Sequence, residues 1–138
     1  MGYVAKAGAG DMFEIESSKA AMAKSTNAGT KRFAQMMIDN HTASTAKVMA
    51  AAKAAKLTTT PPKLEPMQQQ MLDEIKAADA AGVDAVYIKH QKTAHQAALA
   101  LHEGYAANGD TEAFKKIAGE IAPVVKKHIA ELDKMAAM

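Results

Sequence analysis

Three prolines crowd into the ten residues from Leu57 to Pro66, LTTTPPKLEP. No helix runs through such a stretch, because proline lacks the amide hydrogen and its ring collides with the preceding turn. The chain is helical in pattern on both sides, so this segment joins two helical halves and is the longest connector in the sequence. A short helix is expected directly after it, over about residues 67–80, carrying Met71, Leu72 and Ile75. Gly82 in AAGVD can stop that helix, and Asp84 can sit in the first turn of the next.

Each half is divided once. STNAGT breaks the first half, with Asn27 placed to cap the helix that follows. NGD breaks the second, with Gly109 as a stop and Asp110 as the next cap. The pattern predicts long helices over about residues 3–24, 28–56, 83–107 and 111–136. Gly8 and Gly10 weaken the start of the first, and Pro123 should kink the last or free a carbonyl. The two short breaks make antiparallel hairpins. The long connector can carry the chain back along the bundle, so that the second and third long helices run parallel. The predicted fold is therefore all-α: a ferritin-like four-helix bundle with a long crossover holding a short extra helix, one domain over residues 1–138.

Composition agrees with helices packed through small side chains. Apolar residues make up 49% of the 138 and aromatics only 4%, so Ala, Met, Leu, Ile and Val must build the core. The ten methionines invite a copper or silver reading through their thioethers, but their helical spacing marks them as core filler. A net charge of +2 is too near neutral to recruit nucleic acid or anionic lipid. The absence of cysteine excludes disulfides, thiolate metal sites and thiol catalysis. No apolar run approaches the length needed to cross a membrane, and a homo-oligomer is not indicated. The opening MGYVAKAG enters a helical pattern at once, as expected if an export signal had been removed.

Polar residues interrupt the apolar stripes at one depth. On the second long helix Phe33, Met37, His41, Ser44 and Val48 share a face. Glu14 lies about 14 residues before the first break and His41 about 13 after it, which sets them level in an antiparallel pair. With a parallel crossover, His41 and His95 both fall about 12 residues into their helices, and His128 lies within one turn of the position facing His95. One carboxylate and three imidazoles, one from each long helix, thus converge on one layer.

That donor set suits Zn, Cu, Ni, Fe or Mn. The plainer alternative is a buried hydrogen-bond network that fixes helix register. Tyr87 can border the cluster, whereas His90 and His102 are expected near the surface. Asp39 cannot share a face with His41 at a two-residue spacing. No nucleophile–base–acid set, glycine-rich phosphate loop or zinc-protease motif occurs, and the paired Glu-x-x-His signature of di-iron bundles is missing. Catalytic residues are therefore not assigned.

FEIESSKAAMAKS, KRFAQMMIDNHTAS, GVDAVYIKHQKTAHQAAL and IAPVVKKHIAEL together resemble the successive helices of domain-of-unknown-function family 4142. The resemblance covers nearly the whole chain. It implies a ferritin-like bundle of a bacterial exported protein, hence a periplasmic location, with no activity known for the family. It also sets Glu14, His41, Asp84, Tyr87, His95 and His128 on the family's recurring polar positions. The family usually has Asp-His where this chain has Asn40-His41, and often a glycine near Ser17 or Ser18. The expected metal ligands are Glu14, His41, His95 and His128, with Tyr87 and Asp84 around them. The expected role is metal storage, sensing or stress protection. A structural or stress-related interaction protein is the alternative.

Overall fold

The computed structural model describes residues 2–59 and 61–136. They form five helices and, among the described residues, no strand: α1 Tyr3–Lys24, α2 Ala28–Ala54, α3 Pro66–Ala77, α4 Val83–Asn108 and α5 Glu112–Ala136. Local chemistry accounts for most of the boundaries. The Asn27 side chain accepts a hydrogen bond from the Thr30 amide at 3.0 Å, satisfying one of the free donors at the start of α2. That helix ends in a Schellman turn: the Leu57 amide donates to the Ala52 carbonyl, the Lys56 amide to Lys53, and Lys56 is left-handed at φ 59°. Pro66 opens α3 behind a capping box made by Glu65 and Gln68.

Two boundaries differ from the sequence expectation. The short helix stops at Ala77, before Gly82: the Lys24 ammonium reaches across from α1 to the carbonyls of Lys76 and Ala78, and Asp79 starts the next turn by accepting from the Gly82 amide at 2.8 Å. Gly82 instead precedes α4 as its N-cap residue. Asp110 does not cap α5 through its side chain; its carboxylate accepts from the Tyr105 hydroxyl at 2.8 Å. Pro123 is exposed and α5 runs through it without a break. The carbonyl it orphans is that of Gly119, also exposed and remote from the polar layer.

Side-chain pairs define how the helices run. Asp11 meets Thr45, while Glu14 further along α1 faces the earlier His41, so α2 descends beside α1. Tyr3 meets His102 and Ser18 meets Tyr87, so α4 also runs antiparallel to α1. It follows that α2 and α4 are parallel to each other, as the long crossover requires. The helix α5 packs on α4 and α2, while α3 leans on α1 and α4. The crossover itself presses on α1, where a Cβ added at Gly8 would lie 3.1 Å from Pro62 Cβ.

Apolar clusters fill the two ends. Phe13, Phe33, Met37, Ile75, Tyr87 and Leu132 belong to one. Tyr3, Ala52 and Phe114 mark the other end, with Val48, Ile121 and Val125 packed as a third group. On α2 and α5 the polar candidate falls between these groups: His41 separates Met37 from Val48, and His128 separates Val125 from Leu132. No described helix is long and apolar enough to cross a membrane.

Candidate metal centre

Each imidazole comes from a different long helix and all three are buried. One nitrogen from each of His41, His95 and His128 lies within 4.8 Å of the others. His95 Nε2 and His128 Nδ1 are 3.3 Å apart. Two nitrogens held tetrahedrally on one ion at 2.0–2.1 Å would be separated by about 3.3 Å, so this spacing already matches shared coordination.

The hydrogen bonds behind the rings settle which nitrogens face inward. His41 Nδ1 donates to Asp11 Oδ1 at 2.7 Å, which turns Nε2 toward the centre, where it offers a lone pair once the ring has lost its second proton. Asp11 Oδ2 in turn accepts from the Thr45 hydroxyl at 3.0 Å. His95 Nδ1 donates to the Gln91 carbonyl one turn back, at 2.8 Å, and so turns Nε2 inward. A carboxylate or carbonyl behind a ligand histidine is the usual way to lock its tautomer and raise its basicity.

Glu14 completes the layer. Its Oε2 stands 3.8 Å from His41 Nε2 and 3.6 Å from His95 Nδ1. The His95 Nδ1 proton is directed at Gln91, so this second approach is proximity without a hydrogen bond. Among the described residues, three buried side-chain polar atoms have no hydrogen-bond partner, and two of them are Glu14 Oε2 and His41 Nε2. The third, Gln91 Oε1, sits beside them; the Gln91 amide donates to Ser17 Oγ at 3.0 Å. Orphaned buried polar atoms are costly, and two facing each other across a gap suit an ion between them.

Burial sets the protonation of the cluster. It pushes the Glu14 carboxyl up to about 8, with the Asp11 charge adding and the His41 charge opposing. It pulls His95 down to about 4 and His128 to about 3, and in both the charge on His41 acts in the same direction. His41 is pulled down by burial as well, but the Asp11 hydrogen bond and the Glu14 and Asp11 charges outweigh this and raise it. Near neutral pH, His95 and His128 are therefore neutral imidazoles with lone pairs available to a metal.

A family model described as a domain of unknown function, DUF4142, matches residues 1–135. The chain belongs to that family. No curated protein and no solved structure matches this DUF4142 chain.

The tertiary structure of this DUF4142 protein brings His41, His95 and His128 within ligand spacing of one another, sets Glu14 beside His41 and His95, and leaves other candidates outside. Tyr87 is buried two turns of α4 from His95, its hydroxyl bonded to Ser18 Oγ at 2.7 Å rather than to a cluster member. Asp84 is a correction: it lies about 16 Å along α4 from His95 and accepts from the Ser25 hydroxyl at 2.6 Å. His90 and His102 are also corrections, since both are buried. Glu74 on α3 covers His90, with a contact of 2.5 Å, and Tyr3 covers His102 at 2.8 Å. Neighbouring helices hide them, and a helix's own periodicity does not show what packs over it. Asn40 turns back to the Met36 carbonyl and takes no part in the cluster. Asp11, Ser17 and Gln91 were missed as site residues. For Asp11 the signal was present, because it shares the stripe of Ala7, Glu14 and Ser18 at helical spacing.

Proposed function

We propose that this protein binds a transition metal ion through Glu14, His41, His95 and His128, as a store, sensor or protective sink, in the periplasm of an exporting bacterium. The observation that carries the reading is the pair of orphaned buried atoms, Glu14 Oε2 and His41 Nε2, facing each other within a triad of inward-turned imidazoles. An ion between them would satisfy both, and Zn, Cu, Ni, Fe or Mn accept this nitrogen and oxygen set. The parallel run of α2 and α4 supports a ferritin-like bundle as the scaffold. Location rests on the family resemblance alone.

One observation favours the alternative of a buried polar network: the His95–His128 pair at 3.3 Å is itself an acceptable hydrogen bond. The two readings separate in one experiment. Protein purified without an affinity tag is analysed for metals, stripped with chelator, and titrated with Zn, Cu, Ni, Fe and Mn. The metal reading expects sub-micromolar binding of at least one ion. It expects His41→Ala with His128→Ala to weaken binding more than about 100-fold, since residues merely behind ligands are worth 10–100-fold. No ion bound tighter than micromolar would leave the network as the function of the cluster.

A further inference from the structure

A cavity of about 570 Å³ leads from the surface to the cluster between α1 and α4, beneath the first turns of α3. Its floor is made by Asp11, Glu14, His41 and His95, and its walls by small apolar residues such as Ala94, Ala98 and Leu101. Phe33 packs against the cluster outside the cavity lining, its ring centre 6.3 Å from that of His95 and 6.4 Å from that of His128. A second cavity, of about 240 Å³, reaches Asp11 but none of the imidazoles. The cavity thus gives an ion held at His41 and His95 a route to solvent, with His128 lying behind its lining.

The rim of that route offers few donors. Glu65 and Gln68 are occupied with each other and with the amides at the start of α3, in its capping box. The Thr93 hydroxyl donates to the Lys89 carbonyl, the His102 ring in the same lining is engaged at Nδ1 with the Tyr3 hydroxyl, and Lys6 is a cation that repels other cations. Two thioethers remain, those of Met67 and Met71, on successive turns of α3 and separated by about 6 Å of helical rise. Met71 is buried against the cavity, but Met67 is 67% exposed, where hydrophobic packing gives no reason for a methionine. Thioethers are soft ligands that favour monovalent copper and silver over harder divalent ions such as Mn²⁺ and Co²⁺.

We infer that this groove is the port through which the ion reaches the Glu14–His41–His95–His128 cluster, and that Met67 and Met71 make it selective for a soft monovalent ion, Cu⁺. This rests on the metal-binding reading and extends it to the kind of metal and its route. Cu⁺ is caught at the thioethers and passes down the apolar wall to the imidazoles, with no change of oxidation state.

The test uses the full chain, stripped of metal and kept anaerobic. Uptake of Cu⁺ from its bicinchoninate complex is timed by the loss of that complex's colour, and Co²⁺ uptake is timed separately. Met67→Leu with Met71→Leu, which nearly conserves volume, is expected to slow Cu⁺ uptake at least about tenfold and leave Co²⁺ uptake unchanged. Ala98→Phe, which fills the groove, is expected to slow both ions. Silver titrated into protein labelled at the methionine methyls and histidine rings is expected to shift Met67, Met71, His41, His95 and His128. Equal Cu⁺ rates in wild type and the leucine variant would overturn the port's selectivity, and unchanged rates in Ala98→Phe would overturn the route. In both cases the cluster would stand as a metal site. Silver shifting the methionines alone, with no Co²⁺ bound, would remove the cluster reading and this one with it.

Discussion

Asp11 decides which face His41 presents. By accepting the Nδ1 proton at 2.7 Å it leaves Nε2 as the inward donor, and Thr45 holds the carboxylate in place. Asp11→Asn keeps the size but removes the charge that makes this imidazole a stronger ligand. Metal affinity measured against a competing chromophoric chelator should fall 10–100-fold with the fold intact. If the cluster is only a hydrogen-bond network, the variant has no metal affinity to lose. The residues themselves were readable from the sequence as inward-facing polar positions on separate helices. Their roles were not, because a helical stripe says which way a side chain points and nothing about the atom it meets. Asp84 and Tyr87 illustrate the difference, since both sit on the expected helix and both are tied to serines outside the cluster.

At the level of elements, the boundaries written in short-range chemistry were legible: Asn27 before α2 and Gly109 after α4. Those made by contacts from afar were not. At the early end of α3 the local Asp79 cap is joined by Lys24, more than fifty positions away, whose ammonium donates to the Ala78 carbonyl. The end of α2 carries a strained residue instead: Lys56 is the one non-glycine at positive φ among the described residues, in the position where a Schellman turn favours glycine. Left-handed backbone costs an L-residue about 1–2 kcal/mol, offset in part by the extra freedom glycine brings to the unfolded chain. Lys56→Gly should raise unfolding stability by roughly 0.5–1 kcal/mol, read as a higher urea midpoint at unchanged slope. A midpoint that stays or falls would mean the Lys56 side chain contributes more than its backbone costs.

For the whole molecule, a layer of titrating groups buried between apolar ends makes stability depend on pH in both directions. His95, His102 and His128 sit at about 4, 4 and 3 in the folded protein, held down chiefly by burial, against 6.5 for a free imidazole. The unfolded chain therefore binds protons first as pH falls below 6.5, and stability is lost on the acid side. Glu14, at about 8 in the fold against 4.5 ordinarily, works the other way: its contribution is lost as pH rises from 4.5 through 8. His41, raised in the fold, adds to the alkaline loss. Three histidines outweigh one carboxylate below 6.5, so the metal-free protein should be most stable near pH 6.5. Urea midpoints in chelator at pH 5, 6.5 and 8 should rise and then fall, and Glu14→Gln should flatten the alkaline limb. A wild type equally stable at pH 6.5 and 8 would show that Glu14 is already ionised in the fold. Metal binding at neutral pH should replace the Glu14 proton, so these limbs belong to the empty site.

The sequence by itself determined the helices, the break between the two halves and the inward-facing placement of Glu14, His41, His95 and His128. Each of these follows from periodicity, proline and capping chemistry within a few residues. Only the tertiary structure decided that Asp11 stands behind His41, that Gln91 stands behind His95, and that His90 and His102 are covered. It also decided that α3 covers the cavity reaching His41 and His95, with Met67 and Met71 in its lining. Those facts depend on how far α3 leans onto α1 and α4 and on which helix faces meet across the bundle. Such distances come from the packing of every side chain together, and no single helix carries them in its own pattern.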